Sequence, residues 1–374
     1  MDEAFEDADV IFRGEIEGRA EELVNQIVTR DRGLISLGLR PRPTLGTTAV
    51  PRFDLLELDR YCSMSVQSSR GCPYHCEFCD VIELFGRVPR VKSPEQVLAE
   101  LDALHALGWR GTVFFVDDNF IGNVREVRRL LPRLRAWQDE RGRPFDLYTE
   151  ASVNLALDPA LIEEVVEAGF SAVFLGIETP SLDALRAAGK SQNLRLDLRD
   201  AVATLTRAGL EVMGGFIVGF DSDGPEIFAA QQQFLGDAPI PMAMIGVLTA
   251  LPGTALWTRL SREGRLRPGT AGDSTGDPFG RPNFAPALDE EVLIREYAAL
   301  LARLYSMDGY LARCLAYLRL APTPPARPRR RGGFAAFARA VWRLGVLAPE
   351  RRGFWALCGA AVRRHPRHLT WAVT

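Results

Sequence analysis

Hydrophobic residues along the chain recur with two periods, one typical of helices and the other of strands. A helical period runs through five apolar residues, Val97, Leu98, Leu101, Leu104 and Leu107. Ser93, Pro94 and Gln96 stand directly before this run and predict a capped helix start, because Ser and Gln at this spacing satisfy free backbone amides of the first turn. Gly108 predicts the end of the helix.

Short apolar runs typical of strands alternate with helical patterns over the middle of the chain. The predicted strands cover residues 64–67, 112–116, 145–150, 172–177, 211–218 and 242–248. The later predicted helices cover residues 123–139, 159–169, 181–188, 197–208 and 225–235. Repeated strand–helix units favour a parallel sheet with helices outside. Six strands are too few for the closed eight-stranded barrel, so we predict an α/β fold, a partial (β/α)6 barrel with its chemistry at the carboxyl ends of the strands.

Beyond the barrel the pattern becomes mainly helical. A Gly-, Pro- and Asp-rich loop at 268–287 precedes one long predicted helix over 290–318. A Pro- and Arg-rich stretch at 321–331 is typical of a linker. The expected divisions are a leader (1–59), a barrel core (60–265), a helical C-terminal extension (266–320) and a basic, aromatic-rich C-terminal segment (321–374).

The C-terminal segment is basic, although the whole chain has a formal net charge of −3. Residues 327–374 contain eleven arginines and one acidic residue, Glu350, interleaved with six Phe and Trp residues. Such mixtures are typical of surfaces that contact anionic membranes or nucleic acid. A small helical subdomain with a solvated arginine face and a partly disordered tail are simpler interpretations. No recognised RNA-binding module is present, so nucleic acid is the less favoured partner.

Composition favours a cytoplasmic protein, with peripheral membrane contact as an addition from the basic segment. The acidic N-terminus lacks the apolar segment of a signal peptide, and no uninterrupted apolar stretch is long enough to span a bilayer. Six cysteines in 374 residues are too sparse for a disulfide framework. Two of them, Cys314 and Cys358, lie in apolar stretches and are predicted to be small core residues.

Three other cysteines, Cys72, Cys76 and Cys79, form a CxxxCxxC run on one short loop. Electron-transfer iron–sulfur clusters and structural zinc sites are usually closed by four ligands. Three thiolates instead suit a cubic iron–sulfur cluster that keeps one iron free for another ligand, which implies chemistry at the metal. Zinc is the alternative, but it needs a fourth ligand, for which His75 is poorly spaced.

The cysteine loop, with Phe78 directly before its last cysteine, resembles that of the radical S-adenosylmethionine superfamily, and the match extends over residues 60–260. The resemblance implies a [4Fe-4S] cluster whose open iron binds the amino and carboxylate groups of S-adenosylmethionine. One electron from the reduced cluster then cleaves the sulfonium into methionine and a 5′-deoxyadenosyl radical, because chelation places it beside the electron donor. A flavodoxin or ferredoxin is the implied reductant.

The same resemblance implies cofactor-binding roles for side chains near the strand ends. Phe78 is expected beside the adenine or ribose. Asp117 and Asp118 follow the second barrel strand, where many members have a Gly-Gly-Glu segment that receives the methionyl ammonium; a loop-capping pair is the alternative. Glu150 and Glu178 end the next two strands and are interpreted either as ribose or methionyl contacts or as members of structural ion pairs.

Two further segments resemble the parts of these enzymes that hold the nucleoside. Residues 214–220 resemble the fifth-strand segment that contacts adenine through its backbone, so Gly215, Ile217 and Gly219 are candidate adenine contacts. Leu251 lies in a segment that resembles the sixth-strand end, which closes over the nucleoside. No side chain is assigned to catalysis on the substrate.

Residues 116–122, 148–152 and 213–221 resemble more narrowly the cobalamin-binding radical enzymes that include hopanoid C-2 methylases. That subfamily carries a cobalamin domain before the barrel, and residues 8–15 resemble its last strand and turn, with the remainder missing here. The implied reaction is methylation of an unactivated carbon on an apolar or lipid-like small molecule, with cobalamin as a third cofactor.

Two alternative functions stay open at this point. A cobalamin-independent radical oxidoreductase or rearrangement enzyme would use the same cluster and cosubstrate. A non-enzymatic, cluster-bearing scaffold or electron carrier would bind S-adenosylmethionine without cleaving it.

Overall fold

The structure is a computed structural model, and it describes residues 8–29, 33–36, 42–267, 281–323 and 333–373. Most of the predicted loop at 268–287 and of the predicted linker at 321–331 therefore lies outside the described residues.

The leader begins with a strand–helix–strand unit. Strand β1 (Val10–Arg13) pairs in parallel with β2 (Gly33–Ser36), and helix α1 (Ala20–Thr29) connects them. The sequence pattern predicts only the first of these three elements. Three apolar residues of α1, Val24, Ile27 and Val28, are exposed.

In the described part of the chain eight more strands follow, and six of them build the main sheet. In chain order they are β3 (Ser63–Val66), β4 (Ser69–Arg70), β5 (Arg90–Val91), β6 (Thr112–Phe115), β7 (Asp146–Ala151), β8 (Phe170–Glu178), β9 (Glu211–Val218) and β10 (Met242–Val247). β4 and β5 form a short antiparallel pair. The others form one parallel sheet in the order β3-β6-β7-β8-β9-β10. Neighbours in space are neighbours in sequence, which confirms the predicted partial (β/α)6 barrel.

Helices connect the strands and continue beyond the sheet. In the barrel they are α2 (Val81–Leu84), α3 (Pro94–Ala106), α4 (Val124–Glu140), α5 (Pro159–Glu167), α6 (Leu182–Ala187), α7 (Leu198–Ala208), α8 (Ile227–Asp237) and α9 (Ala255–Arg262). The C-terminal ones are α10 (Glu290–Leu304), α11 (Met307–Leu320), α12 (Gly333–Ala340), a π-helix (Val341–Leu347), α13 (Arg351–Arg364) and α14 (His368–Val373).

Side chains cap the first turns of two barrel helices, and the cap of α3 is the predicted one. Ser93 and Gln96 form a reciprocal capping box at the start of α3, with Pro94 in the first turn. At the start of α5 the Asp158 side chain accepts a hydrogen bond from the amide of Leu161. A cap of this kind stabilises a helix by about 1 kcal/mol.

One face of each barrel strand packs against the helices. Val113 and Phe115 of β6 are fully buried with Leu101 of α3 and Leu134 of α4. Burial of each such side chain contributes about 2 kcal/mol. Because side chains alternate along a strand, Phe114 lies on the opposite, inner face of the sheet. The helices therefore cover only the outer face of the barrel.

The C-terminal helices cover the open edge of the sheet at β10. The hydroxyl groups of Tyr297 and Tyr305 donate hydrogen bonds to the carbonyl oxygens of Ile245 and Ala243, the first at 2.8 Å. Arg313, only 2% exposed, donates to backbone carbonyls just before β10. These side chains satisfy backbone acceptors that an uncovered edge strand would leave to solvent or to another chain.

The prediction of a single helix over 290–318 is wrong. The structure has two helices there, because α10 ends at Leu304 and α11 begins at Met307. Ser306 caps the second helix by accepting a hydrogen bond from the amide of Gly309. A Cβ at Gly309 would lie 2.5 Å from the carbonyl oxygen of Arg303. The turn between the helices is thus so tight that it requires glycine, whereas the apolar periodicity continues across it.

The basic C-terminal segment is mainly helical in residues 333–373. It therefore forms a small helical subdomain, one of the interpretations that the sequence leaves open. Helices α11 and α13 pack through Cys314, Leu318 and Leu357. Trp371 of α14 donates its indole N–H to the carboxylate of Glu211 at the start of β9, at 2.7 Å. This hydrogen bond attaches the last helix to the barrel.

Both predicted core cysteines, Cys314 and Cys358, are buried. Their thiols lie among apolar side chains of the C-terminal helices. Within the part of the chain that the structure describes, no helix has the length and apolar character needed to cross a bilayer.

Candidate active site

The cysteine loop follows β4 near the carboxyl end of β3, and its first turn depends on glycine. Gly71 has a φ of +102°, and a Cβ there would lie 2.8 Å from the carbonyl oxygen of Gly86. The amide of Cys72 donates to that same oxygen at 3.1 Å. The loop therefore closes onto the end of α2 and presents Cys72 at its start.

Two carboxylates after β6 hold the backbone that enters this loop. Asp117 is 1% exposed, and its oxygens accept hydrogen bonds from the amides and hydroxyls of Ser68 and Ser69. Asp118 accepts a hydrogen bond from the amide of Gly71 at 2.6 Å. Asp117 thus has the loop-capping role that the sequence leaves open as an alternative. For the other oxygen of Asp118, contact with an ammonium group stays a prediction.

The thiols of Cys72, Cys76 and Cys79 form one electrostatic cluster. Burial raises the pKa of all three, that of Cys79 to about 12; Cys72 raises the pKa of Cys76 further, and Cys72 and Cys76 both raise that of Cys79. They therefore ionise readily only when a cationic centre compensates the charge. Within the described ranges, no three Cys, His, Asp or Glu side chains converge as ligands of one ion would. A cubic cluster does not require this convergence, because each thiolate binds a different iron.

Lys190 is a positive charge directed at these thiols. Its Nζ pairs with the Glu178 carboxylate at 2.5 Å, and the two side chains are 12% and 9% exposed. Burial alone would lower the pKa of Lys190, but Glu178, Cys76 and Cys79 outweigh it and raise the pKa. A Cβ at Gly176 would lie 2.5 Å from the Glu178 carboxylate and 2.7 Å from Nζ, so the pair crosses the inner face of β8 above this glycine. Of the two interpretations that the sequence leaves open for Glu178, the structure therefore shows the ion pair.

The backbone at Glu178 is held in an unusual conformation. Its φ of +63° lies in the left-handed region, which costs a non-glycine residue about 1 kcal/mol or more. The pairing of β8 with β9 shifts register between Gly176 and Glu178. The buried amides of Asn193 and Gln231 donate to carbonyl oxygens on both sides of this bulge. The local fold thus stabilises a strained strand end that turns Glu178 towards Lys190.

Two buried amide side chains approach the sulfur atoms. Asn119 Nδ2 lies 3.9 Å from Cys72 Sγ, and Gln192 Nε2 lies 3.9 Å from Cys76 Sγ. Asn119 is oriented by Ser152, whose amide donates to its Oδ1 at 3.2 Å. In the described structure the buried Oε1 of Gln192 has no hydrogen-bond partner. N–H donors to thiolate sulfur stabilise negative charge, and they are among the groups that set the reduction potential of iron–sulfur clusters.

Glu150 presents a carboxylate without a cation on the inner face of β7. Among the described residues its carboxylate has no hydrogen-bond or ion-pair partner. Burial, together with the nearby charge of Asp118, raises the pKa of Glu150. Pairing with an added cation would offset the cost of placing a charged carboxylate in such surroundings. Glu150 can therefore receive a positively charged ligand group.

Phe78, in the cysteine loop, directs its ring at the segment that follows β9. Its ring centroid is 6.0 Å from that of Phe220, and Ile217 packs against the same apolar cluster. Gly219 has a φ of +98°, and its amide donates to the carboxylate of Asp223 at 2.9 Å. The structure thus brings Phe78 and Ile217 together beside a glycine turn, and their contact with adenine stays a prediction.

The two remaining candidates have different surroundings. Gly215 is buried on the inner face of β9, and a Cβ there would lie 2.7 Å from the ring of Phe174. Leu251 is half-buried in the segment after β10. In the next helix the amide of Leu256 donates to the carbonyl oxygen of Glu77 at 2.8 Å, so this segment closes onto the cysteine loop. Nucleoside contact by Gly215 and Leu251 stays a prediction.

Beside these charged groups, part of the inner face of the open barrel is apolar. Phe114 and Tyr148 are register partners on β6 and β7, and their rings stack with centroids 4.5 Å apart. Phe174 pairs with Met213 on β9, and Met244 on β10 is 58% exposed. These side chains alternate with the helix-facing core residues and so share one surface. An accessible apolar surface inside a barrel suits an apolar ligand.

Four charged side chains fix the leader to the cysteine loop. Arg70, directly before the loop, pairs with Glu15 at 2.8 Å and with Glu17 at 2.7 Å. Arg90 of β5 pairs with Glu15 at 2.7 Å. Although burial raises the pKa of Glu17, its hydrogen bond and charge interaction with Arg70 lower the pKa overall. We call these four residues the leader latch.

The side chains that surround the thiols carry little signal in the sequence. Lys190 is one of only two lysines in the chain, which singles it out without giving it a role. Asn119 lies in the segment 116–122 that carries the family resemblance, and Gln192 lies in none of the segments singled out. Neither is assigned a role from the sequence, because their distances to sulfur depend on how separate strands meet. The sequence thus identifies the thiols but not the groups that contact them.

Two family models match the chain. Residues 66–230 match the radical SAM superfamily. Residues 254–374 match a domain of unknown function, DUF4070. The first match covers the cysteine loop and most of the barrel, and the second covers the C-terminal helices.

Among curated proteins, an uncharacterized methyltransferase of Synechocystis sp. is 45% identical over 87% of this chain and 61% of its own length. The hopanoid C-2 methylase of Rhodopseudomonas palustris is 36% identical over 93% of this chain and 67% of its own length. The chain thus spans about three fifths to two thirds of these relatives.

Among solved structures, the cobalamin-dependent S-adenosylmethionine radical enzyme OxsB has a TM-score of 0.57 at 16% identity. The alignment covers 95% of this chain and 59% of OxsB, which supports the fold. The family-model match and the similarity to the hopanoid methylase together establish that this chain belongs to the radical S-adenosylmethionine superfamily.

Proposed function

We propose that this protein is a radical S-adenosylmethionine methyltransferase that acts on an unactivated carbon of an apolar substrate. The observation that carries the proposal is the group of three coupled, desolvated thiols at the carboxyl ends of the strands. A bound [4Fe-4S] cluster would supply the electron that cleaves S-adenosylmethionine to the 5′-deoxyadenosyl radical. Two relatives named as methyltransferases support methyl transfer as the outcome.

The residues around the thiols fit such a cluster and its cosubstrate. Cys72, Cys76 and Cys79 would bind three irons, while the amide donors beside two of the sulfurs compensate part of the added negative charge. Glu150, which has a desolvated carboxylate, would receive the positively charged amino group of S-adenosylmethionine. Phe78 would pack against the nucleoside. These contacts orient the cosubstrate and keep water from the reacting atoms.

An apolar substrate is supported by the inner face of the barrel. The stacked rings of Phe114 and Tyr148, the ring of Phe174 and the thioethers of Met213 and Met244 offer a surface with few hydrogen-bonding groups. Such a surface binds by burial of apolar area rather than by specific polar contacts. A lipid-like molecule is the substrate class that we propose for it.

Cobalamin is proposed as the methyl carrier, and a flavodoxin or ferredoxin as the reductant. The similar solved structure of OxsB contains aqua-cobalamin and S-adenosylmethionine together. In the leader, β1, α1 and β2 form a parallel unit that exposes Val24, Ile27 and Val28 and so offers an apolar surface to a packing partner. Equilibrium binding of methylcobalamin to the purified chain tests whether the described leader suffices.

Formation of 5′-deoxyadenosine tests the central proposal. After anaerobic reconstitution with iron, sulfide and dithionite, we expect the chain to convert S-adenosylmethionine to 5′-deoxyadenosine, measured by liquid chromatography. Cys76→Ala should lose this product, whereas Cys62→Ala, at an exposed cysteine outside the loop, should retain it. Normal S-adenosylmethionine binding without cleavage under strong reduction would contradict the enzyme proposal and favour a cluster-bearing scaffold.

The reaction outcome needs a separate measurement. Mass spectrometry of lipid extracts from cells with and without the gene should reveal a species heavier by one methyl group. If cleavage occurs but methylcobalamin does not bind and no methylated product forms, a cobalamin-independent oxidoreductase or rearrangement enzyme replaces methyl transfer as the proposal.

A further inference from the structure

The C-terminal helices expose large apolar side chains on one short stretch. On the π-helix, Trp342, Leu344 and Leu347 are 59%, 47% and 62% exposed, and Trp355 of the adjoining α13 is 51% exposed. Isolated exposed apolar residues are ordinary, but four on two helices packed against each other, two of them tryptophans, are typical of an interaction surface. We call these four residues the apolar tip.

The apolar tip is rigidly supported rather than frayed. The Trp355 indole donates its N–H to the carbonyl oxygen of Gly345, in the middle of the π-helix, at 2.9 Å. A Cβ at Gly345 would lie 2.9 Å from the rings of both Phe354 and Trp355. The π-helix and α13 therefore pack closely, and the exposed side chains are held on a fixed backbone.

Arginines without ion-pair partners among the described residues flank this tip in the sequence. Residues 333–373 contain seven arginines and one acidic residue, Glu350. Four of the exposed arginines, Arg339, Arg343, Arg351 and Arg352, form no ion pair with the described residues. Barrel arginines such as Arg259, in contrast, are engaged by carboxylates. The charge at the tip is therefore available to an anionic partner.

Glu350, between the π-helix and α13, also lines a cavity next to the turn that covers β10. A cavity of about 440 Å³ is lined by Tyr305, Met307, Tyr310 and Glu350. Tyr305 donates to the carbonyl oxygen of Ala243 on β10, the edge strand whose Met242 and Met244 side chains are half-exposed. The segment that carries the tip therefore meets, through this cavity, the turn that contacts β10.

We infer that the apolar tip and its arginines dock on the surface of an anionic lipid bilayer. Tryptophan and leucine suit the boundary between head groups and acyl chains, and unpaired arginines suit anionic head groups. No helix in the described ranges could cross the bilayer, so the contact would be peripheral. This inference does not depend on cluster chemistry, and it is testable in protein that carries no cluster.

Vesicle co-sedimentation at fixed ionic strength tests the inference. We expect binding to vesicles of phosphatidylcholine with phosphatidylglycerol and much weaker binding to phosphatidylcholine alone. Each of Arg343→Gln and Arg351→Gln should weaken binding roughly fivefold. Trp342→Ser with Leu347→Ser should weaken it by roughly tenfold or more, because two apolar insertions are lost. Added salt should weaken binding of the unsubstituted protein.

Matched variants separate docking from general effects. Leu157→Ser replaces a leucine that is 55% exposed on the barrel, so its vesicle binding should be unchanged. Circular dichroism and the elution volume of each variant establish that it is folded. The inference is wrong if folded tip variants bind like the unsubstituted protein, if vesicle charge has no effect, or if the tip variants abolish self-association or RNA binding while no vesicle binding occurs.

Discussion

At the scale of single residues, the environment of the thiols depends on a few buried polar side chains. Lys190 and Glu178 form a buried ion pair beside the cysteine loop, in which each charge compensates the other. Asn119 and Gln192 direct N–H groups at two sulfurs, while Glu150 lacks a partner among the described residues. A low local dielectric strengthens each of these interactions and makes each unpaired group costly.

Removal of the Lys190 charge should destabilise the fold strongly. Lys190→Met leaves Glu178 buried and uncompensated, so we expect the free energy of unfolding to fall by about 3–5 kcal/mol. The double variant with Glu178→Gln should recover most of that loss. Anaerobic urea unfolding of cluster-free protein measures both. Arg186→Met, at an exposed pair with Asp183, should cost under about 1 kcal/mol; equal losses at both sites would contradict this interpretation.

Asp223 should make stability depend on pH. Burial raises its pKa to about 6, while the amides of Gly219 and Phe220 donate to one of its oxygens. The unfolded chain releases this proton near pH 4, so between about pH 4 and 6 the folded state binds more protons and stability falls as pH rises. The full difference is about 3 kcal/mol.

The variant Asp223→Asn tests this dependence because its amide oxygen can still accept both hydrogen bonds. Urea unfolding between pH 4 and 7 should show a flatter decline of stability for this variant than for the unsubstituted protein. Parallel curves for the two proteins would show that Asp223 does not titrate in this window.

At the scale of elements, capping residues and glycines decide where helices end. Ser93, Pro94 and Gln96 start α3 as predicted, because their interactions lie within four residues. The sequence pattern does not predict the break between α10 and α11, because the helical spacing of apolar residues continues without interruption past Ser306 and Gly309. The close approach of Gly309 to Arg303 becomes visible only when both helices are placed.

Substitution of Gly309 by alanine should therefore cost stability despite the higher helix propensity of alanine. The added Cβ would meet the carbonyl oxygen of Arg303, so we expect Gly309→Ala to lower the free energy of unfolding by about 2 kcal/mol or more. Gly236→Ala, in α8 where a Cβ meets nothing, should instead gain up to about 1 kcal/mol. Thermal unfolding compares the two; a gain in both would argue against a tight turn.

At the scale of the whole molecule, the leader, the barrel and the C-terminal helices meet around the open sheet. The leader latch connects β1 to the base of the cysteine loop through Glu15, Glu17, Arg70 and Arg90. On the other side, tyrosines of α10 and its following turn cover the β10 edge. The barrel core therefore depends on flanking segments at both ends of the sheet.

Loosening of the leader latch should be transmitted to the cysteine loop. Glu15→Gln with Glu17→Gln removes both carboxylates that pair with Arg70, so we expect faster amide hydrogen exchange in residues 10–13 and 69–72. A double-mutant cycle between Glu15→Gln and Arg90→Gln should give a coupling free energy of about 1–3 kcal/mol. Exchange that rises in the leader alone would mean that the latch does not hold the loop.

The sequence by itself determined the strand–helix alternation, the helix starts and the three thiols, because each depends on residues close together in the chain. The parallel order of the sheet also follows from that alternation. Only the tertiary structure decided that Asp117 caps a loop and that Glu178 pairs with Lys190. Tertiary structure likewise placed Phe114 against Tyr148, Asn119 beside Cys72 and Glu15 against Arg70. Such contacts join residues from separate strands and loops, so they depend on strand register and burial, which local patterns do not specify.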